Sequence, residues 1–274
     1  MICSALMVAG DKEQHLDKIN QLKCDIAVVN LEDGVFDKKY ARDLVVKQLK
    51  NKKFIDKQLV VRVNDLATYG KDDIQAINKL KPDAIRVPKI KTIEDVKLAC
   101  KLIDKSIDIH LSIETKEAFE NLSSLKINSR VTTVYLGILD LLESLGLSQS
   151  LVKLDNPTID YILSKFLIDA KIAGFKVVSF IYQDYKDTKT FKKWCIKERN
   201  MGFSCKGCIS PSQVEIANKI FGINQNEIKK AKYIKVIFEE QQNMGISGFS
   251  DKNYGFIDEP IYKDALLTLE LNKH

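Results

Sequence analysis

Apolar residues gather in eight short runs along this chain, and most of the runs end on charged or polar side chains. The runs are 2–10 (ICSALMVAG), 25–34 (DIAVVNLEDG), 58–65 (QLVVRVND), 84–90 (AIRVPKI), 109–115 (IHLSIET), 132–140 (TTVYLGILD), 175–184 (FKVVSFIYQD) and 206–211 (KGCISP). Continuous β-branched runs suit strands buried on both faces, as in a parallel sheet wrapped by helices. Between them apolar residues recur at helical spacing. Leu16, Ile19 and Leu22 line one side of 11–22, and Val96, Leu98, Ala99 and Leu102 one side of 90–107. Segment 141–173 is too long for one crossover; it reads as a short helix after Asp140, a loop near Asn156 and a longer helix to Ala173. Ser210 and Pro211 supply a cap and a first-turn proline for a helix over 211–221.

Eight strand–helix units predict a (β/α)8 barrel over 1–222, the fold in which chemistry sits at the C-terminal strand ends. Residues 223–274 then predict a helix over 225–243, a glycine-rich loop over 245–255 and a closing helix over 259–271. That extension exceeds what a barrel needs and reads as a lid over the mouth or an arm packing on a neighbouring subunit.

Composition narrows the function. The length of 274 residues suits one barrel, and a hydrophobic fraction of 45% supports a large core. There is no run of 18 apolar residues and no charged leader before a cleavable apolar stretch, so a soluble, cytoplasmic chain with no membrane association is expected. The net charge of +6 comes from lysines spread over every predicted helix rather than a stripe, so solvated helix faces explain it and no nucleic-acid partner is expected. Six cysteines should be free thiols, and Cys205 and Cys208 lack the second pair a zinc site needs. His15, His110 and His274 are too few and too scattered for a histidine triad or a histidine-rich metal site. Neither phosphate-loop pattern occurs, which disfavours ATP and dinucleotide chemistry.

The strand endings carry the candidate chemistry. Only five of the 43 basic residues are arginine, so Arg62 and Arg86 on adjacent predicted strands stand out. Arg62 is read as a carboxylate clamp, the competing role being an ion pair with Glu32 or Glu114; Arg86 stands equally between the two roles. Glu114 and Asp140 end neighbouring predicted strands and form a hard oxygen pair that suits Mg²⁺, unless they are simply capping or ion-paired acids. Glu32 and Asp33 either accept hydrogen bonds from metal-bound waters or, for Asp33, cap the next helix. Lys89 is read chiefly as a cation paired with these acids, with Schiff-base chemistry as the alternative.

The ordered set AGD (9–11), LEDGV (31–35) with AR (41–42), RVN (62–64), VPKI (87–90), IET (113–115), GILDL (137–141), GCISPSQV (207–214) and IDEP (257–260) resembles the citrate lyase β-subunit-like group of the HpcH/HpaI aldolase family. The resemblance covers essentially the whole chain. It implies a barrel binding Mg²⁺ through Glu114 and Asp140, with Arg62 and Asn64 beside the substrate's 2-oxo acid part. It also implies a trimer or hexamer in which Asp258 reaches a neighbour's site. The implied reaction is reversible cleavage of a 3-hydroxyacyl-CoA to a 2-oxo acid and an acyl-CoA. The chain departs from the family's usual residues at Ala9, Asn30, 116–118, Leu139 and Ser210, and lacks an early arginine in the first strand. Those departures keep open a CoA-independent aldolase acting on a hydroxy-2-oxo acid, and a barrel without turnover.

Overall fold

The computed structural model describes residues 2–50, 52, 54 and 56–271. Two compact units are present, one spanning Ile2–Phe221 and one beginning at Gly222.

The first unit is a (β/α)8 barrel. Its strands are β1 (Ser4–Ala9), β2 (Ile26–Asn30), β3 (Gln58–Arg62), β4 (Ala84–Val87), β5 (Asp108–Ile113), β6 (Val131–Leu136), β7 (Lys176–Val178) and β8 (Lys206–Cys208). They pair in parallel in the order β7-β6-β5-β4-β3-β2-β1-β8, and a bridge between Ser179 and Lys206 closes the ring. Strand parity explains the layers. Leu6 and Val8, Ala27 and Val29, Leu59 and Val61, Ile85 and Val87, and Ile109, Leu111 and Ile113 face outward into the main core under the helices. Ala5, Ile26, Val28, Val60, Ala84, Tyr135 and Val178 form a second, smaller cluster inside the ring. Arg62, Arg86, His110, Ser112 and Glu114 share that inward parity and are all buried.

The helices are α1 (Glu13–Asp17), α2 (Lys38–Leu49), α3 (Gly70–Ile77), α4 (Ile93–Leu102), α5 (Lys116–Glu120), α6 (Ile138–Ser144), α7 (Pro157–Ile172), α8 (Thr188–Met201) and α9 (Pro211–Phe221). Local chemistry sets their starts. Thr92 and Asp95 form a capping box for α4, and Asn156 caps α7 with Pro157 following it. Three expectations are corrected. Segment 11–22 is not one helix: α1 stops at Asp17 and a 3₁₀ turn follows at Ile19–Gln21. The last two strands are three residues each, much shorter than their apolar runs. Asp37, not Asp33, caps α2, accepting from the Tyr40 N–H.

The second unit holds α10 (Gln225–Asn243), a hairpin of β9 (Gly248–Asp251) and β10 (Gly255–Asp258), and α11 (Glu259–Leu271). The expected glycine-rich loop over 245–255 therefore contains β9 and the first residue of β10. It hides from pattern reading because the ribbon is largely exposed and only Ile257 is buried. Ala231, Ile234 and Phe238 of α10 pack with Ile257 and with Ala265 of α11, and Phe238 stacks on Tyr262 at 4.6 Å. Among the described residues no helix is long and apolar enough to cross a membrane.

Candidate active site

A cavity of about 360 Å³ opens at the C-terminal strand ends, lined by Asn30, Asp33, Arg62, Arg86, Glu114, Tyr135, Gly137 and Asp140 among others. Small residues at Ala5 and Gly207 also line it, so the cavity reaches into the ring rather than ending at its rim.

Arg62 organises the acids. Its Nη2 lies 3.2 Å from Asp33 Oδ2 and 3.7 Å from Glu114 Oε2, and it makes a closer ion pair with Glu32. The expected competing role for Arg62 is therefore occupied by three carboxylates at once. Glu114 Oε1 accepts the Lys89 backbone N–H at 2.7 Å. Lys89 has φ +54°, a left-handed conformation that a non-glycine residue adopts only when its surroundings enforce it. Its Nζ lies 3.0 Å from Asp140 Oδ1.

Gly137 makes room for this arrangement. A Cβ built there would stand 2.7 Å from both Glu114 Cβ and Glu114 Oε2. A contact that close cannot be relieved without moving the carboxylate. Asp140 is a correction to the sequence reading: it does not end β6 but sits in the first turn of α6, four residues past Leu136.

The site's electrostatics follow from burial and pairing. Burial pushes Glu32 up to about 7 against the pull of Arg62. Asp33 moves down: burial opposes the shift, but its hydrogen bond with Glu32 and the Arg62 charge outweigh it. Lys89 is raised, because Glu114 and Asp140 outweigh partial burial, and a firmly charged amine is a poor Schiff-base nucleophile.

The remaining sequence candidates lie as follows. Asn64 is buried with its amide donating to Leu31 O and Asp73 Oδ2, and it does not line the cavity, so it frames the β3 end. Asp258 ends β10 in the second unit, where its Oδ1 accepts the Ile261 N–H and caps α11. Cys205 and Cys208 are both buried and free, and burial raises both thiols well above their ordinary value, away from redox reactivity. Sequence reasoning missed Tyr135, Ser179, Gln149 and Gln183, all of which line the cavity. Strand parity could have flagged Tyr135, which shares its face with Thr133; Gln149 lies in a connection without periodic signal.

The donor set fits a hard divalent cation. Glu114 Oε2 is buried without a hydrogen-bond partner, and among the described residues four carboxylates (Glu32, Asp33, Glu114 and Asp140) meet only Arg62 and Lys89 as paired cations. Among the described residues no group of three acidic, histidine or cysteine side chains forms a complete metal cage. Mg²⁺ needs none, since it keeps several waters and takes one or two carboxylates.

A parallel eight-stranded barrel whose acids and arginines converge at the C-terminal mouth defines a lyase-type site of the aldolase class. Residues 4–211 match the HpcH/HpaI aldolase/citrate lyase family, and the chain belongs to it. It is 32% identical over 88% of its length to a (3S)-malyl-CoA thioesterase of Cereibacter sphaeroides, covering 85% of that protein. It is 26% identical over 98% of its length to the mitochondrial citramalyl-CoA lyase of Homo sapiens, covering 84% of it. Its fold matches the protein CitE of Mycobacterium tuberculosis, solved with magnesium, acetoacetate and coenzyme A, at a TM-score of 0.81 and 18% identity, over 100% of this chain and 98% of that one.

Proposed function

We propose that this chain is a Mg²⁺-dependent carbon–carbon lyase that cleaves, or forms, a 3-hydroxyacyl-CoA thioester, giving a 2-oxo acid and an acyl-CoA. The carrying observation is the buried Glu114 Oε2 in the wall of the cavity, which no hydrogen bond satisfies and which Arg62 approaches only to 3.7 Å. Family membership and the CoA-ester relatives support the reaction class.

Glu114 and Asp140 would hold the metal, which supplies Lewis-acid polarisation of the reacting oxygens when bound. Arg62 fixes the carboxylate of the 2-oxo acid part while Glu32 and Asp33 hold the guanidinium in place. As the 3-hydroxyl loses its proton, the bond between C2 and C3 breaks. Its electrons pass to the thioester carbonyl as an enolate, and a proton returned to C2 completes the acyl-CoA. Asp258, delivered by the second unit acting as a lid or intersubunit arm, is assigned that proton transfer. The buried free thiols support a reducing, cytoplasmic compartment, and the family resemblance supports a trimer or hexamer.

The 32% identity to a thioesterase favours a second reading, hydrolysis of the thioester to free CoA and a hydroxy acid. A panel of malyl-, citramalyl- and citryl-CoA, assayed with Mg²⁺ and with chelator, separates the two. A lyase releases acyl-CoA and a 2-oxo acid only with metal; a thioesterase releases free CoA and no 2-oxo acid. Absence of both products would sink the enzyme reading. Borohydride trapping of Lys89 with a 2-oxo acid would overturn the metal mechanism in favour of a Schiff base. Asp258→Asn keeps the helix cap and removes the carboxylate, so it should cost about 10² to 10⁴ in turnover with unchanged Mg²⁺ affinity. Full activity in that variant would end the assignment of Asp258.

A further inference from the structure

Lys89 touches both carboxylates assigned to the metal, and it does so with two different groups. Its backbone N–H donates to Glu114 Oε1 at 2.7 Å, and its ammonium lies 3.0 Å from Asp140 Oδ1. The two acids come from separate elements: Glu114 follows β5 directly, Asp140 sits in the first turn of α6, and both line the cavity. Lys89 stands between them, two residues past the end of β4 and directly after Pro88.

The two contacts differ in permanence. The first depends on the backbone of Lys89, whose φ of +54° is left-handed. Turning that N–H away would strand a carboxylate whose side chain is only 1% exposed, which is costly. With Oε1 engaged in this way, Oε2 is the oxygen left without a hydrogen bond and free for a cation. The second contact joins side chains that are 30% and 34% exposed. Such a pair is weak, and the ammonium rides a flexible four-carbon stem that can swing into solvent. While it stays, it holds a positive charge against an oxygen that a divalent cation needs.

We propose that Lys89 presents one metal ligand and guards the other: its backbone fixes Glu114 with Oε2 free, and its side chain competes with Mg²⁺ for Asp140. The guard weakens Mg²⁺ binding, so the Mg²⁺ concentration at which the site fills is set by this side chain. Lys89 is thereby a positioning residue that acts through the two acids. This rests on the metal-dependent reading of the same site.

Calorimetric titration with Mg²⁺ alone tests both arms, on the intact protein and on Lys89→Met, Lys89→Arg, Lys89→Gly and Lys89→Val, each verified as folded by circular dichroism. Methionine removes the charge and keeps a long stem, and arginine keeps the charge. Glycine accepts positive φ freely, whereas β-branched valine resists it. The Met and Gly variants should bind Mg²⁺ about fivefold more tightly than the intact protein, because no ammonium has to leave Asp140. The Arg variant should bind no more tightly than the intact protein, and the Val variant should lose the gain seen with methionine. Unchanged or weaker binding in Lys89→Met and Lys89→Gly overturns the guard and leaves the lyase reading standing. Binding by Lys89→Val as tight as by Lys89→Met overturns the backbone arm. No Mg²⁺ binding by the intact protein or any variant overturns the metal site itself, and the lyase reading with it.

Discussion

Two ionic sites in the barrel unit both pair basic with acidic side chains and differ in stoichiometry. Between β8 and α8, Lys206 and Glu198 are both fully buried, 2.5 Å apart, with the Lys206 Nζ 3.5 Å from the Phe180 ring centroid. One cation meets one anion, and neither residue lines the mouth cavity. At the mouth, Arg62 and Lys89 face four acids; each site leaves one buried acid oxygen without a hydrogen-bond partner, Glu198 Oε2 and Glu114 Oε2, so charge balance is what separates them. A one-to-one pair is neutral without help from outside. An open cluster with surplus acid is complete only when something else arrives, and that imbalance marks it as a site.

The sharpest way to break this comparison is Glu114→Gln. Removing one charge from the surplus side should lower turnover by at least about a thousandfold, through loss of a metal ligand. It should leave the melting temperature unchanged or raised, because like-charge repulsion falls. A large stability loss would mean that the mouth cluster is structural after all. Next in size is Lys206→Met, which strands Glu198 and should cost about 3–5 kcal/mol of stability in denaturant unfolding. The double variant Lys206→Met/Glu198→Leu should recover most of that loss and keep Mg²⁺ affinity; failure to recover would show that the pair does more than neutralise itself.

The smallest effect comes from a third buried group. His110 accepts or donates through Nδ1 to the Tyr135 hydroxyl at 3.1 Å, and burial, with Arg86 and Lys176, lowers it from 6.5 to about 3. Between those values the unfolded chain binds a proton that the folded chain does not, so stability falls as pH drops through that window. The slope attributable to His110 approaches about 1.4 kcal/mol per pH unit. Unfolding titrations at pH 7.5, 5.5 and 4.5 should show the stability difference between the intact protein and His110→Gln change by that slope; parallel curves would mean that the imidazole is protonated in the fold.

Most of the barrel is legible in the sequence because its strands are apolar on both faces and its helices on one. The pattern fades where geometry rather than burial decides. β7 and β8 stop after three residues although their apolar runs continue, since Ser179 contributes only a single bridge to the ring. The hairpin ending at Asp258 is largely exposed and so carries little alternation. At the site, the residue types at 32, 33, 62, 89 and 114 were readable as chemistry, because charged side chains at the ends of apolar runs need a reason. Their partners were not. Which acids gather on Arg62, that Asn64 turns to Asp73, and that Asp140 rides a helix turn depend on contacts between strands distant in sequence. Arg86 was visible as an inward arginine, but its hydrogen bond to Ser112 and its place against the Tyr135 ring required the neighbouring strands.

Gly137 has a consequence for how this chain's relatives are compared. It has no side chain and would be invisible in a search for reactive groups, yet any side chain there collides with Glu114 Oε2. A homologous chain can keep every acid and arginine at the mouth and still lose the geometry by one mutation at this position, with the outer core under the helices untouched. The empty position is therefore a marker for telling working members from silent copies. Gly137→Ala measured alongside Glu114→Gln would calibrate it: matching losses of Mg²⁺ affinity in a folded barrel would make glycine at 137 as diagnostic as the carboxylate it makes room for.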